Sequence, residues 1–295
     1  MKEYCCPVCK RRDNGRVFLK ATYEFHGVDD LDFSARPIPN HAYFTFMRCR
    51  ECDSLYVEKA LTFDELEAIY TASSFNEKSE GCQASETYAK YVKKKIPDIH
   101  GKAMDIGASE GSFLLELLKL GYEDVSGVEP TLEAVNKADP LVKDKIKQEM
   151  FKAENFPEDT YDLISFFQVI EHVSDPEEVL TGIRRLLKDD GRIIIVCHNY
   201  KSLINKIMGR RSPIYCLGHL QIFSPKSVRK LMEKIGYHDV DVFKVTNRYE
   251  LNYWIKMSPL PSWLKNPILR FVKFIRIGGL KISIVGSNMG VVARK

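Results

Sequence analysis

Residues 102–119 read KAMDIGASEGSFLLELLK, and this stretch decides the fold. Ala103-Met104-Asp105-Ile106 is a short apolar run, Gly107 to Gly111 a turn, and Ser112 to Lys119 a helix closed by Gly121. A strand that passes through a glycine turn into a helix is the first half of a βαβ unit. The alternation continues downstream. Val125 to Glu129 reads as the next strand, Thr131 to Ala138 as a helix, and Tyr161 to Phe167 as a third strand. Pro176 to Leu187 follows as a helix and Arg192 to Val196 as a β-branched strand. Ser224 to Ile235 reads as a helix with Ser224 as its N-cap, and Val240 to Val245 and Gly290 to Ala293 as late strands. Strands and helices alternating at this spacing predict an α/β fold with a doubly wound, Rossmann-like sheet.

The first turn bears on the cofactor. Its glycines, Gly107 and Gly111, follow a G-x-x-x-G spacing. That differs from the G-x-G-x-x-G pyrophosphate cradle, and no G-x-x-x-x-G-K-S/T is present. Glu129 ends the second strand, where a carboxylate accepts from both hydroxyls of a ribose diol.

Four stretches then occur together and in order: Asp105 through Glu129, Phe156 to Ile164, Val169-Ile170-Glu171-His172-Val173, and Leu186 to Arg192. They resemble class I S-adenosylmethionine-dependent methyltransferases over roughly residues 100–245. The resemblance implies that Asp105, Gly107 and Gly111 line the methionine part of S-adenosylmethionine and that Glu129 holds its ribose. It also implies Glu154 near the adenine and Gln168 at the reacting end. Around Met150 and Phe151, where the third strand of the family ends, the acid the family often has is missing. Glu171-His172 is similar to the E-x-x-E-H run that binds a divalent ion in ubiquinone-pathway O-methyltransferases. Gln168 replaces the first acid, which removes a charged ligand and favours a structural or cofactor-pocket role.

Upstream, Cys6-Pro7-Val8-Cys9 and Cys49-Arg50-Glu51-Cys52 form two C-x-x-C knuckles. Zinc takes four soft ligands in a tetrahedron, and each knuckle offers two. Cys6, Cys9, Cys49 and Cys52 are therefore expected to hold a structural Zn²⁺ in a small zinc-ribbon-like β module over residues 1–75. Cys5 is the alternative to Cys6. Val17-Phe18-Leu19 and Tyr43 to Phe46 read as the module's strands. Leu61 to Tyr70 reads as its helix, with Thr62 and Glu65 as a capping box. Residues 76–100 are expected to be a linker and a basic helix from Glu86 to Lys95. Residues 101–295 are expected to be the methyltransferase domain.

Methyl transfer needs an aligned nucleophile and a group to take its proton. The segment 198–223, an insertion after the strand Arg192 to Val196, supplies candidates. Gly218-His219-Leu220-Gln221-Ile222-Phe223-Ser224 is similar to a stretch of zinc-containing deoxysugar C-methyltransferases, where the His is a base. His219 is thus the first candidate base and His198 the second, with Tyr200 and Tyr215 as candidate substrate contacts.

The chain has 295 residues, 44% apolar and 28% charged, which excludes a disordered chain and allows one large or two unequal domains. Its net charge of +4 hides a division. Residues 1–190 carry 25 basic and 36 acidic side chains, residues 191–295 carry 19 and 4. From Leu251 onward there are eight Lys or Arg and no acid. A second insertion, 251–281, contains the amphipathic run Ser262 to Ile277, whose Lys265, Arg270, Lys273 and Arg276 share one sector. Two placements are open: an interfacial membrane contact through residues 263–277, or packing on the enzyme body with the cations solvated. The expected substrate is a small or lipid-linked, anionic acceptor, as in surface-glycan or natural-product biosynthesis. The alternatives are O-methylation of a membrane-borne quinone or phenol, and an RNA methyltransferase with a nucleic-acid-binding ribbon. Arg11, Arg12 and Arg16 favour the last, while Asp29, Asp30 and Asp32 oppose it. The start MKEYCCPVCK has no apolar stretch behind a basic head, so no secretory signal is expected. The expected location is cytoplasmic, with any membrane contact at the inner face.

Overall fold

The glycine turn at residues 107–111 lies at the C-terminal edge of a seven-stranded sheet. A computed structural model describes residues 2–23, 41–72, 78–98, 100–258 and 260–295. Asp29, Asp30 and Asp32 lie outside the described residues. In chain order, β1 (Lys2–Glu3), β2 (Gly15–Leu19), β3 (Phe46–Cys49), β4 (Leu55–Val57) and β5 (Lys59–Ala60) precede α1 (Phe63–Ala72) and α2 (Lys78–Lys95). Next come β6 (Lys102–Ile106), α3 (Ser112–Lys119), β7 (Asp124–Val128), α4 (Leu132–Asn136), α5 (Pro140–Lys143), β8 (Ile146–Lys147), β9 (Tyr161–Phe167) and α6 (Pro176–Leu186). The chain closes with β10 (Leu187–His198), α7 (Leu203–Met208), β11 (Gln221–Ile222), α8 (Pro225–Ile235), β12 (His238–Glu250), α9 (Leu251–Met257), α10 (Ser262–Phe274) and β13 (Lys281–Arg294).

The main sheet has the order β12-β13-β10-β9-β6-β7-β8. β6 to β10 pair in parallel, and β13 runs antiparallel between β10 and β12. The sequence predicts this Rossmann-like architecture. Met104, Ile164 and Ile195 are buried on one side of the sheet and Ala103, Leu163 and Ile194 on the other. Helices cover both faces, so the central strands are apolar throughout rather than alternating. α8 starts where expected: the Ser224 side chain accepts from the Ser227 amide and Ser227 returns the bond. Thr62 and Glu65 cap α1 in the same reciprocal way.

Several stretches differ from expectation; the strand expected at Tyr43 to Phe46 starts only at Phe46 and runs on to Cys49 as β3. The late strands are longer: β12 and β13 continue as a paired arm, Thr246 to Glu250 against Val285 to Lys281. Lys281 to Ile284 alternates polar and apolar, but its partner Thr246 to Glu250 does not, so the pair is not apparent from the pattern. The polar run before Glu86 is helical from Lys78, and α2 lies along α3 and β12, with Tyr88 and Val92 in the core.

The cysteine module is joined to the larger sheet's lobe rather than strung from it. Its four-stranded sheet has the order β11-β4-β3-β2, and β11 comes from the 198–223 insertion. Gln221 pairs with Tyr56 and Ile222 with Leu55. Cys6, Cys49, Cys52 and Tyr56 share a core with Phe223, Val228 and Leu231. Lys10 to Asp175 at 2.7 Å and to Glu177 at 3.5 Å, and Lys230 to Glu51 at 2.5 Å, add ion pairs across the seam.

Candidate functional site

The two knuckles fold identically. The Lys10 amide donates to the Cys6 carbonyl and the Asp53 amide to the Cys49 carbonyl. Lys10 and Asp53 both take a left-handed φ, of 56° and 70°. This turns the four thiols inward, with all sulfur atoms within 4.8 Å of one another. Cys6 and Cys52 sulfurs are 3.4 Å apart and those of Cys9 and Cys49 4.0 Å. A tetrahedral zinc with Zn–S near 2.3 Å sets its sulfurs about 3.8 Å apart. The residues therefore fit the ion, and the sulfur that faces the cluster is that of Cys6; Cys5 is not part of it.

Around the glycine turn, three carboxylates are buried together: Asp105 (3% exposed), Glu110 (5%) and Glu129 (8%). One Glu129 oxygen accepts from the Ser109 amide and the other from the Thr131 amide, both at 2.9 Å. Glu129 takes a further hydrogen bond from the Thr131 side chain. Glu110 accepts from the Ser109 and Ser112 hydroxyls, and Asp105 accepts from Ser165 at 2.6 Å. Burial lifts the Asp105 carboxyl to about 7, with Ser165 pulling against it and Glu129 adding to it. Gly107 and Gly111 have φ of 79° and 75°. A Cβ on Gly107 would collide with Val169, and one on Gly111 would come 2.8 Å from Val142. Gln168 ends β9 with φ 56°, and its side-chain nitrogen is buried without a hydrogen-bond partner.

Two cavities meet at this turn. The larger, about 1320 Å³, is lined by Glu129, Met150, Phe151, Glu154, Gln168 and His172 and reaches Lys2, Lys10 and Leu66 of the cysteine module. The smaller, about 240 Å³, lies between Asp105, Gln168 and the rings of Tyr88, Phe113, Phe167, Tyr249 and Tyr253. Both share Gly81, Gly107, Ser109 and Phe167.

The candidate bases converge. The rings of His198 and His219 are 5.0 Å apart, and His172 is 4.7 Å from His219. His172 and His219 each point Nδ1 at a carbonyl oxygen, of Gly218 at 2.9 Å and Ile214 at 2.7 Å. A carbonyl only accepts, so both carry their proton on Nδ1. His198 Nδ1 lies 2.8 Å from the Asn288 side-chain oxygen. Glu171, wholly buried beside them, accepts the His198 amide with one oxygen, and its other oxygen has no hydrogen-bond partner. Burial disfavours a charged His219, but the Cys216 thiolate and Glu171 outweigh it and hold its pKa at about 9. Burial and the charge of His219 push His198 down to about 3, and the same two causes hold His172 well below its ordinary value. Of the three rings, His172 lines the larger cavity.

Residues 79–242, more than half of the chain, match the family described as Methyltransferase domain. The chain belongs to that methyltransferase family. It is similar to the uncharacterised methyltransferase YcgJ of Bacillus subtilis, 25% identical over 55% of this chain and 66% of the relative. A ubiquinone biosynthesis O-methyltransferase of Vibrio atlanticus is 29% identical over 58% of this chain and 82% of its own length. The match to the uncharacterised methyltransferase C1B3.06c of Schizosaccharomyces pombe spans 51% of that protein, so this chain covers less than two thirds of some relatives. The crystal structure of YcgJ superposes on 70% of this chain and 98% of its own with a TM-score of 0.51 at 18% identity, a likeness of fold.

The chain places its sequence-predicted residues in two groups. Asp105, Gly107, Glu129, Glu154 and Gln168 line the joined cavities, and Gly111 packs beneath the turn on Val142. Tyr200 and Tyr215 do not line them. Both are buried among Phe18, Phe46 and Leu55 where the insertion meets the module, and the Tyr200 hydroxyl donates to the Asp53 carbonyl. Lys201 pairs with Asp53, and none of Lys201, Lys206, Arg210 and Arg211 lines either cavity. Arg11 and Arg12 face Glu51 and Glu3, so no open basic track forms from them. Sequence reasoning missed Glu110, Tyr88, Tyr249 and Tyr253. Glu110 stood in the quoted turn; the tyrosines carry no motif and come from α2 and the β12–α9 junction.

Proposed function

We propose that this methyltransferase uses S-adenosylmethionine to methylate the hydroxyl of a small aromatic acceptor. The aromatic-walled smaller cavity beside Gln168 carries the proposal: no Lys or Arg lines it among the described residues. The name of the Vibrio relative supports the same acceptor class. When bound, the cofactor supplies an electrophilic methyl group on a cationic sulfur. Asp105, Glu110 and Glu129 form a negative pocket suited to that charge, Glu129 suits the ribose hydroxyls, and the Gln168 amide offers a donor. Glu154, with Met150 and Phe151, forms the wall assigned to the adenine. Cys6, Cys9, Cys49 and Cys52 hold a structural Zn²⁺, with four thiolates leaving no open position for catalysis. A second acceptor class, small or lipid-linked anions, is favoured by Lys2 at the wall of the larger cavity.

As oxygen bonds to the methyl carbon and the carbon–sulfur bond breaks, the hydroxyl proton must leave. The histidine cluster is assigned that task, His172 at the wall of the larger cavity, which meets the smaller one at Gln168, with His219 behind it and His198 adjoining. His219 must be neutral to accept a proton. Its pKa of about 9 gives the sign: turnover should rise with pH about tenfold per unit below 9 and level above it. His219→Ala should remove that limb and lower kcat about 10²-fold with cofactor affinity unchanged. A variant with full turnover and an unchanged profile rejects the base role. The acceptor class is tested by following S-adenosylhomocysteine release with catechols, hydroxybenzoates and nucleotide sugars. Turnover confined to nucleotide sugars would overturn the aromatic acceptor.

A further inference from the structure

The amphipathic helix does not pack as a surface helix ordinarily does. At about 100° per residue, Trp263, Leu264, Phe271 and Phe274 of α10 fall within one sector of roughly 100°. That apolar sector is the one turned to solvent: Trp263 is 76% exposed, Phe271 61% and Phe274 82%. The opposite side carries Val272, 6% exposed, towards the body, and α10 packs chiefly on α9. Arg270 and Lys273 lie along one edge of the aromatic sector, and both are exposed.

A second element adds to the face. Leu203 and Ile207, one turn apart on α7, are 74% and 75% exposed, with Lys206, Arg210 and Arg211 beside them in sequence. α7 bonds to β13 through Asn205 and the Ser287 carbonyl, and α9, on which α10 packs, bonds to the same strand through Trp254 and the Ile282 carbonyl, so both elements sit along one strand. Apolar patches of this kind on a soluble surface mark a binding face.

We infer that the α10 and α7 face docks on an anionic lipid surface. Aromatic side chains with cations along one edge, and no acid from Leu251 to Lys295, match a bilayer of negative headgroups in both polarity and charge. A second copy of the chain is a poorer occupant. A two-fold contact would set this acid-free face against itself, and like charges would meet. No helix among the described residues is long and apolar enough to cross a membrane, so the contact is interfacial. It does not depend on the acceptor assigned above.

Sedimentation with vesicles tests it, comparing equal parts phosphatidylglycerol and phosphatidylcholine with phosphatidylcholine alone. The protein should bind the anionic vesicles at least tenfold more tightly. Its tryptophan emission should shift to the blue on binding, and the shift should vanish in Trp263→Ser. The triple variant Trp263→Ser, Phe271→Ser, Phe274→Ser and the reversal Arg270→Glu, Lys273→Glu should each bind at least tenfold more weakly. Both should keep the thermal unfolding of the parent, because the side chains are exposed. Equal binding by the variants, no preference for anionic lipid, or a concentration-dependent dimer lost in the triple variant would overturn the inference.

Discussion

Cys52→Ser is expected to strip the metal from the N-terminal module and lower the unfolding temperature by ten degrees or more. Structural zinc contributes roughly 10–16 kcal/mol to the folding of isolated zinc-finger peptides. The module here leans on the larger sheet, so part of that loss is recoverable, but Cys52 is fully buried and shares its core with Phe223 and Leu231. A serine there leaves three thiols without their ion inside the apolar seam. The check is metal content by mass spectrometry, at one zinc per chain, with calorimetry on the same sample. Cys5→Ser is the control, and should change neither. A Cys52→Ser protein that keeps its zinc, or unfolds with the parent, would refute the site.

The second large effect lies in the acidic pocket. Glu129→Ala should weaken S-adenosylmethionine binding about 100-fold, because the ribose hydroxyls lose a charged acceptor and the Ser109 and Thr131 amides lose theirs. Asp105 gives the same pocket a pH signature. Its pKa is about 7 in the folded chain and near 3.8 unfolded. The folded state holds the proton more tightly, so folding stability is lost as pH rises from 4 towards 7. Binding a cation rewards the ionised form, so cofactor affinity should strengthen over pH 6 to 8. Asp105→Asn should therefore unfold a few degrees higher at pH 8, bind the cofactor more weakly and lose the pH trend. Titration calorimetry at pH 6, 7 and 8 reads the affinities, and scanning calorimetry at pH 8 the unfolding. An Asn variant that binds as tightly as the parent at pH 8 would remove Asp105 from the site.

Much of this was legible in the sequence because it is local. The strand-turn-helix at residues 102–119, the Ser224 and Thr62 caps and the two C-x-x-C turns each depend on neighbours within a few positions. What was not legible is long-range. Tyr200 and Tyr215 resemble pocket residues on an insertion, yet β11 carries that insertion onto the module, 166 residues from its β4 partner. Periodicity showed α10 to be amphipathic but not which side meets the body; that depends on α9 and the β12–β13 arm. His219 and His198 share a cluster through Glu171 and Asn288, contacts no spacing rule encodes.

The borrowed strand also sets a schedule for synthesis. The edge of β4, Leu55–Val57, has no partner until Gln221 and Ile222 leave the ribosome. At about 5–20 residues per second, that wait is on the order of ten seconds. An unpaired strand edge is a template for pairing with other chains. Early metal capture by the two knuckles would hold the nascent module in shape through that interval. Zinc-starved cells should then accumulate newly made chains as aggregates, while molecules finished before starvation stay soluble.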